Sequence, residues 1–295
     1  MNLLPHQIRP VAELESALGR HNTVLLSAPT GAGKTYMACE LARRLNRKLI
    51  VVCPKGAIPT WEYVTKEFGL EAIVTNIESA KSTRRKIGTR PNGNSIYQKY
   101  DPNCELIKWP IHGRRCRWDI PHGDRPNHLI VFDEAHRLRN RKSHNGKLLL
   151  GSHRQRIPTL LVSATPFENP TQLYVFGQVL GLHKGLDFDA FQSNYGCTKG
   201  LWGWEFNEDP AVMESLGNQL YPERGSRLSR AELTGFQPNT ITAKPVPVAQ
   251  PKVIDSLWRA LRTLEETRSE DADHEITEIL RLRQEVELLK VPPML

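Results

Sequence analysis

The run of apolar segments along this chain predicts a doubly wound α/β domain, and three observations carry that prediction. Short, continuous Val/Ile/Leu runs recur at 23–29, 48–54, 71–76, 128–136 and 159–166. Stretches of helical spacing or helical length separate most of them, the pattern of a parallel sheet covered on both faces. The sharpest motifs stand at or just past the carboxyl ends of these runs, where open α/β sheets place their ligands.

Taken in order, TVLLSAP (23–29) is a strand ending in turn residues, and 34–45 has helical spacing. KLIVVCP (48–54) is a second buried-type strand, followed by a helix over 58–68 and a third strand, EAIVTN (71–76). Residues 77–127 break this rhythm with Gly, Pro, Asn and Arg and read as a long, partly irregular insertion. HLIVFDEAH (128–136) and TLLVSATP (159–166) restore the strands, and the pattern turns helical over 170–181 and 187–195. A Pro-rich extended stretch, PNTITAKPVPVAQP, leads to helical periodicity over 252–268 and 272–290 with many Glu/Arg pairs. No strict heptad is sustained there, so these read as a helical brace rather than a coiled coil. Neither an internal repeat nor a low-complexity tract is present.

A length of 295 residues allows one large or two modest domains. The five cysteines, Cys39, Cys53, Cys104, Cys116 and Cys197, are scattered without the spacing of a disulfide framework and read as free thiols. No secretory leader is read at the N-terminus and no apolar run is long enough to span a bilayer, so no membrane partner is expected. The cytoplasm is the expected location. A net charge of +8 favours an anionic partner, although charge alone does not separate nucleic acid from a basic surface. The excess is uneven: between Lys81 and Lys142 basic residues outnumber acidic ones more than two to one, whereas Asp255 to Lys290 is slightly acidic.

The chemistry begins with APTGAGKT (28–35). A loop that brings backbone N–H groups against phosphate oxygens must turn tightly without side chains in the way, hence Gly31 and Gly33, with Thr30 and Ala32 completing it. The next helix points its positive end at the anion. Lys34 can reach β/γ phosphates, and the Thr35 hydroxyl suits Mg²⁺. Only Ala28, in place of glycine, departs from the strict phosphate-loop pattern. In VFDEAH, Asp133 at a strand end can hold Mg²⁺ through water, while Glu134 can orient and deprotonate an attacking water. The plainer reading is a helix start, where acidic residues are favoured. In SATP, Ser163 and Thr165 are small hydroxyl residues able to hydrogen-bond the acidic motif; a structural turn is the alternative.

The order APTGAGKT, VVCPKGAIPTW, DEAHRLRN, SATPFENP resembles superfamily 2 DEAD/DEAH-box helicases, and most of all their Swi/Snf-type DNA translocases. Cys53-Pro54 with Trp61, Asp133 to Asn140, and Thr165-Pro166 with Asn169 match that pattern residue by residue. The resemblance covers residues 1–240 and implies a RecA-like P-loop NTPase domain, a parallel sheet flanked by helices, with a helical C-terminal extension. It places Gln7, in LPHQIRP, where the family reads adenine. It makes His136 a link between nucleotide and nucleic acid, with Ser163 and Thr165 as coupling residues. VTNIESA is similar to a strand-contacting segment, which offers Thr75 and Ser79 for phosphate contact. RGSRLSRAEL resembles the stretch that ends the first lobe, and RLRQEVELLKVP the helix leading toward a second. On this basis 1–240 is the ATP-binding lobe, with 77–127 a basic insertion within it, and 241–295 is linker and brace. No QxxGRxxR arginine-finger pattern occurs, so a second RecA-like lobe is expected in cis beyond Leu295 or in trans.

Other candidates are weaker. Cys104, His112, Cys116 and His122 are spaced C-x₇-H-x₃-C-x₅-H, with no close ligand pair of the kind structural zinc sites use. Arg84, Arg85, Lys86, Arg114, Arg115 and Arg117 lie among Tyr97, Tyr100, Trp109 and Trp118. Phosphate contact is open to the basic residues, Lys55 included, while the two tryptophans read better as anchors of the insertion. LWGWEF (201–206) reads as a packing corner. The expected function is the ATP-binding lobe of a DNA-dependent ATPase, helicase or translocase, using ATP and Mg²⁺ on double-stranded DNA. The alternative is a nucleotide-dependent binding or regulatory subunit of a restriction or defence complex whose partner performs the chemistry.

Overall fold

The computed structural model describes residues 3–81, 84–89, 95–99, 107–108, 117–200, 203–233, 251–266 and 281–284, with no side chains described over 81–116. The chain divides into two units, Met1–Phe236 and Gln237–Leu295.

The first unit opens with helix α1 (Pro5–Arg20), which the apolar-run pattern did not disclose. Pro10 lies inside it, yet Val11, Leu14, Ala17 and Leu18 line one buried face. Strand β1 (Thr23–Ser27), helix α2 (Lys34–Arg44), β2 (Lys48–Cys53), α3 (Ile58–Glu67) and β3 (Ala72–Asn76) follow, close to the sequence expectation. Most of the strands end one or more residues short of the runs that predicted them, because the turn residues already belong to the loops.

The 77–127 stretch is more regular than expected. It begins with α4 (Ile77–Lys81) and carries two antiparallel ribbons, β4 (Arg84–Thr89) with β5 (Ser95–Lys99) and β6 (Ile107–Lys108) with β7 (Arg117–Trp118). A 3₁₀ turn at His122–Asn127 leads into β8 (His128–Asp133). Trp118 anchors the return: it is fully buried, donates from Nε1 to Leu148 O at 3.1 Å, and meets Phe132 edge to face at 6.0 Å. Trp109, Tyr97, Tyr100 and the arginines at 114 and 115 fall outside the described side chains.

Beyond β8 come α5 (His144–Arg154), β9 (Thr159–Ser163), α6 (Tyr174–Val179), α7 (Phe188–Asn194), the hairpin β10 (Cys197–Gly200) with β11 (Gly203–Phe206), α8 (Pro210–Leu220) and β12 (Gly225–Arg227). The expected packing corner near Trp204 is thus one arm of a hairpin. Six strands form one sheet in the order β12-β1-β9-β8-β2-β3, and every neighbouring pair is parallel.

Strand alternation builds two cores. Leu25, Ile50, Val52, Ile130, Phe132 and Leu161 face one cluster, with Leu148, Phe176, Phe188 and Leu216 from α5 to α8. Val24, Leu26, Leu49, Val51, Leu129 and Val131 face the other, with Leu14, Met37, Leu41 and Trp61 from α1 to α3. This is the α/β architecture of a parallel sheet between helical layers.

Strand β12 was hidden in the sequence because it is three residues long and begins with glycine. Gly225 is needed there, since a Cβ would collide with Leu25 O across the ladder. In the second unit, α9 (Pro251–Glu266) is amphipathic, burying Ile254 and Leu261. Of the helix expected over 272–290, residues 281–284 are helical and the rest lies outside the described residues.

On α2, Glu40 is 5% exposed and accepts from Arg43 Nε at 2.8 Å and Arg44 Nε at 2.9 Å. Hydrogen bonds from Arg43, opposed by burial and joined by Arg44, pull its carboxyl down to about 2. A depressed carboxylate stabilises the fold above its ordinary titration range, and that stability drains away as pH falls. We expect Glu40→Gln to cost about 1–2 kcal/mol at pH 7, given the exposure of the arginines. In denaturant unfolding, the gap from wild type should narrow as pH drops from 4.5 toward about 2.

Candidate functional site

Three loops meet at the carboxyl ends of adjacent strands. β9 lies between β1 and β8, with Ser27 paired to Ser163 and Asp133 to Val162, so the three loop starts stand nearly level. The register places APTGAGKT beside SATP, and SATP beside DEAH.

The loop after β1 turns on two glycines in the left-handed region, Gly31 (φ 84°) and Gly33 (φ 77°). A side chain on Gly33 would run into Gln7 Nε2. Gln7 is 4% exposed; its Nε2 donates to Ala32 O at 3.1 Å and its Oε1 accepts from Leu4 N at 3.0 Å. Gln7, the expected adenine-reading residue, also braces the loop, each end of its amide making one hydrogen bond. The first-turn N–H groups of α2 have no intrahelical acceptors and open toward the loop. Lys34 Nζ lies over the loop and donates to Ala28 O and Pro29 O, each at 3.0 Å. Burial pushes its ammonium below the ordinary value, while Glu134 and Asp133 pull it back up. Lys34 thus feels both carboxylates across the sheet edge.

At the end of β8, Asp133 Oδ1 accepts from Glu134 N and Oδ2 accepts from Trp61 Nε1, each at 2.9 Å. Glu134 itself is left-handed (φ 49°, ψ 49°), a conformation that costs a non-glycine residue about 1–2 kcal/mol. It lets the chain reverse from the strand into a 3₁₀ turn at Ala135–Leu138. His136 Nδ1 lies 3.2 Å from Glu134 Oε2 and 3.4 Å from Ser163 Oγ. Ser163, fully buried, also accepts from Thr165 N at 3.2 Å. His136, Ser163 and Thr165 are therefore linked by hydrogen bonds, with the Glu134 carboxylate beside the imidazole.

The motif tails are tied as well. Arg139 donates to His136 O at 2.9 Å and to Gln172 Oε1, which also accepts from Glu168 N at 3.0 Å. Asn169 Oδ1 accepts from Thr171 N at 3.1 Å and caps its turn. The role of Gln172 carries no sequence signal, whereas Trp61 had one in the resemblance of Cys53-Pro54 and Trp61 to the family pattern.

The expected nucleic-acid residues fall in two places. Lys55, exposed, opens the turn after β2; Thr75 lies at the end of β3, and Ser79 sits on α4. These three share the β2–β3 end of the same sheet edge, away from the phosphate loop. Ser79 N donates to Asn76 Oδ1 at 2.9 Å, so part of its polarity is spent on a local cap. Arg84 and Arg85 lie on β4, outside the described side chains.

Among the described residues, no group of three His, Cys, Asp or Glu side chains is placed to hold a metal. Cys104, His112 and Cys116 fall outside the described residues. Thr35 offers a hydroxyl and Asp133 a carboxylate, hard oxygen donors of the chemistry that suits Mg²⁺ when phosphates supply the remaining ligands. No described helix is long and apolar enough to cross a membrane.

We expect Gly33→Ala to destabilise the domain by about 1–3 kcal/mol in denaturant unfolding, through φ strain and the collision with Gln7. In a Gln7→Ala background the same change should cost less; an equal cost would refute the close approach.

The model of the family described as type III restriction enzyme, res subunit, matches residues 1–168. The chain is 35% identical over 180 residues to a putative ATP-dependent RNA helicase of Acanthamoeba polyphaga mimivirus, a match covering 59% of this chain and 32% of that protein. The chain thus spans about a third of the length of that relative. A solved structure of the Sulfolobus solfataricus SWI2/SNF2 ATPase core in complex with dsDNA superposes with a TM-score of 0.49 at 14% identity, covering 98% of this chain and 58% of that one. With more than half of its residues matched and the loops of the match converging at one sheet edge, the chain belongs to the type III restriction enzyme res-subunit family, a helicase superfamily 2 family.

Proposed function

We propose that this chain is the ATP-binding lobe of a nucleic-acid-dependent ATPase, a helicase or translocase that couples ATP hydrolysis to movement on double-stranded DNA. The observation that carries this reading is the His136 bridge. It joins the acidic motif to Ser163 on the strand lying between that motif and the phosphate loop.

In this reading Thr30, Gly31, Ala32 and Gly33 give backbone N–H groups to the triphosphate. Lys34 exchanges its two loop carbonyls for β/γ phosphate oxygens, a stronger, charge-assisted pairing. Thr35 and Asp133 would hold Mg²⁺, which when bound neutralises charge building on the phosphates. Glu134 takes the proton of the attacking water, and its left-handed backbone keeps the carboxylate on the turn where His136 restrains it. Gln7 reads the adenine while supporting the loop. Ser163 and Thr165 pass any shift of Glu134 and His136 toward Asn169 and the strand-end loops. Lys55, Thr75 and Ser79 contact the nucleic-acid backbone, with Arg84 and Arg85 from the basic insertion, so binding weakens steeply with salt.

Residues 241–295 serve as linker and brace toward a second RecA-like lobe, supplied in cis or in trans. An arginine from such a lobe is worth on the order of 10³–10⁵ in turnover. The name of the mimivirus relative specifies RNA, which makes duplex RNA the competing substrate. The restriction-enzyme family description supports a second reading, a nucleotide-dependent subunit of a restriction or defence complex whose partner performs the chemistry.

The test is ATP binding and steady-state turnover at low salt, with duplex DNA, duplex RNA or neither. Lys34→Ala should lose ATP affinity; retention of full affinity would sink the reading. Glu134→Gln should keep ATP binding and lose on the order of 10²–10⁴ of any turnover. ATP binding without affinity for either duplex selects the restriction-complex reading.

A further inference from the structure

Trp61 and Asp133 are 72 positions apart and share one hydrogen bond of 2.9 Å. The indole is 1% exposed and belongs to the buried cluster that includes Val51, Cys53 and Val131. Its position follows from topology. β2 pairs with β8, the chain leaves β2 at Cys53, and the turn at Lys55–Ala57 leads directly into α3. One turn into that helix, Trp61 comes level with the end of β8.

The two oxygens of Asp133 are bound from different sides. Oδ1 accepts from the next backbone N–H and Oδ2 from the indole. The terminal torsion of an aspartate is otherwise broad and roughly two-fold. Donors on both oxygens fix the carboxylate plane and leave one lone-pair direction on each for another partner.

The choice of donor matters. Indole N–H donates only and carries no charge. A lysine or arginine at the same distance would orient the carboxylate but also neutralise it, in competition with a divalent cation. An indole orients it and leaves its full negative charge available.

Resting on the reading of Asp133 as the metal-holding carboxylate, we propose that Trp61 is a positioning residue, which aims Asp133 at the Mg²⁺ of the bound nucleotide through the Nε1–Oδ2 hydrogen bond. The bond also ties the Lys55–Ala57 turn, through α3, to the metal side of the site.

The experiment titrates a fluorescent ADP analogue into the protein across a Mg²⁺ series and in EDTA. It uses wild type, Trp61→Phe, Asp133→Asn and the double variant. With Trp61→Phe, the Mg²⁺ concentration giving half of the affinity enhancement should rise about 10–100-fold, the usual effect of losing an outer-shell partner. Affinity in EDTA should stay within about twofold, because the phosphate loop is untouched. In the Asp133→Asn background, Trp61→Phe should add nothing. If Trp61→Phe does not fold, the benzothiophene isostere of tryptophan at position 61, which deletes only the N–H, carries the same expectations.

An unchanged Mg²⁺ midpoint, or equal weakening with and without Mg²⁺, overturns the positioning role and leaves Asp133 as the metal residue. Mg²⁺ enhancement that survives Asp133→Asn overturns the reading of Asp133 and this proposal with it.

Discussion

The parallel register of β1, β9 and β8 is the constraint on which everything at this site depends. Each of those three strands has three consecutive buried aliphatic residues at its centre, and their hydrogen-bonded pairing sets Ser27, Ser163 and Asp133 near one level. Because side chains alternate along a strand, a one-residue slip would send each aliphatic set to the opposite core. The register is therefore held by two hydrophobic layers at once. The loops inherit their relative positions from it, and contacts of about 3 Å between residues far apart in sequence follow.

The same sheet is finished at one edge by elements of little intrinsic strength. β12 has three residues, and Leu228 N continues the ladder onto Ser27 O at 2.9 Å. Around it, α1 supplies a clasp. Glu13 accepts from Ser226 Oγ at 2.5 Å, Arg9 pairs with Glu232 at 2.5 Å and donates to Arg227 O, and Arg20 with His21 meets Glu223. Exposed pairs of this kind are individually weak. Their joint effect is geometric, because α1 also carries Gln7 to the back of the phosphate loop. Edge strand, first helix and loop are thus one mechanical unit.

Strain and satisfaction meet at the acidic motif. Glu134 is held left-handed, yet its backbone N–H is bonded to Asp133 and its carboxylate lies 3.2 Å from the His136 imidazole. A costly backbone conformation persists only where its surroundings over-determine it. Here those surroundings are the Trp61 indole, the buried Ser163 and the Arg139–Gln172 contact. Each belongs to a different element, so the turn is held from several directions at once.

What was legible in the sequence was what repeats or what chemistry compels. Five of the six sheet strands stood out as short apolar runs, four of them because parallel strands buried on both faces must be continuously apolar, while β3 at the edge is only half-buried. The phosphate loop stood out because only glycine tolerates its backbone, and the acidic pair because it follows such a run. Elements whose stability comes from neighbours did not stand out: α1, with its internal proline, and β12, where Gly225 is present only because Leu25 O lies too close for a side chain. The ribbons within 77–127 were equally hidden, since short antiparallel pairs leave little periodicity. By itself the sequence determined the fold class and the residue types at the site. Tertiary structure alone decided which of them touch: His136 between Glu134 and Ser163, Gln7 against the loop, Trp61 on Asp133. Such contacts depend on strand order and register, and strand order is a property of how the whole sheet buries its two faces, which no single segment encodes.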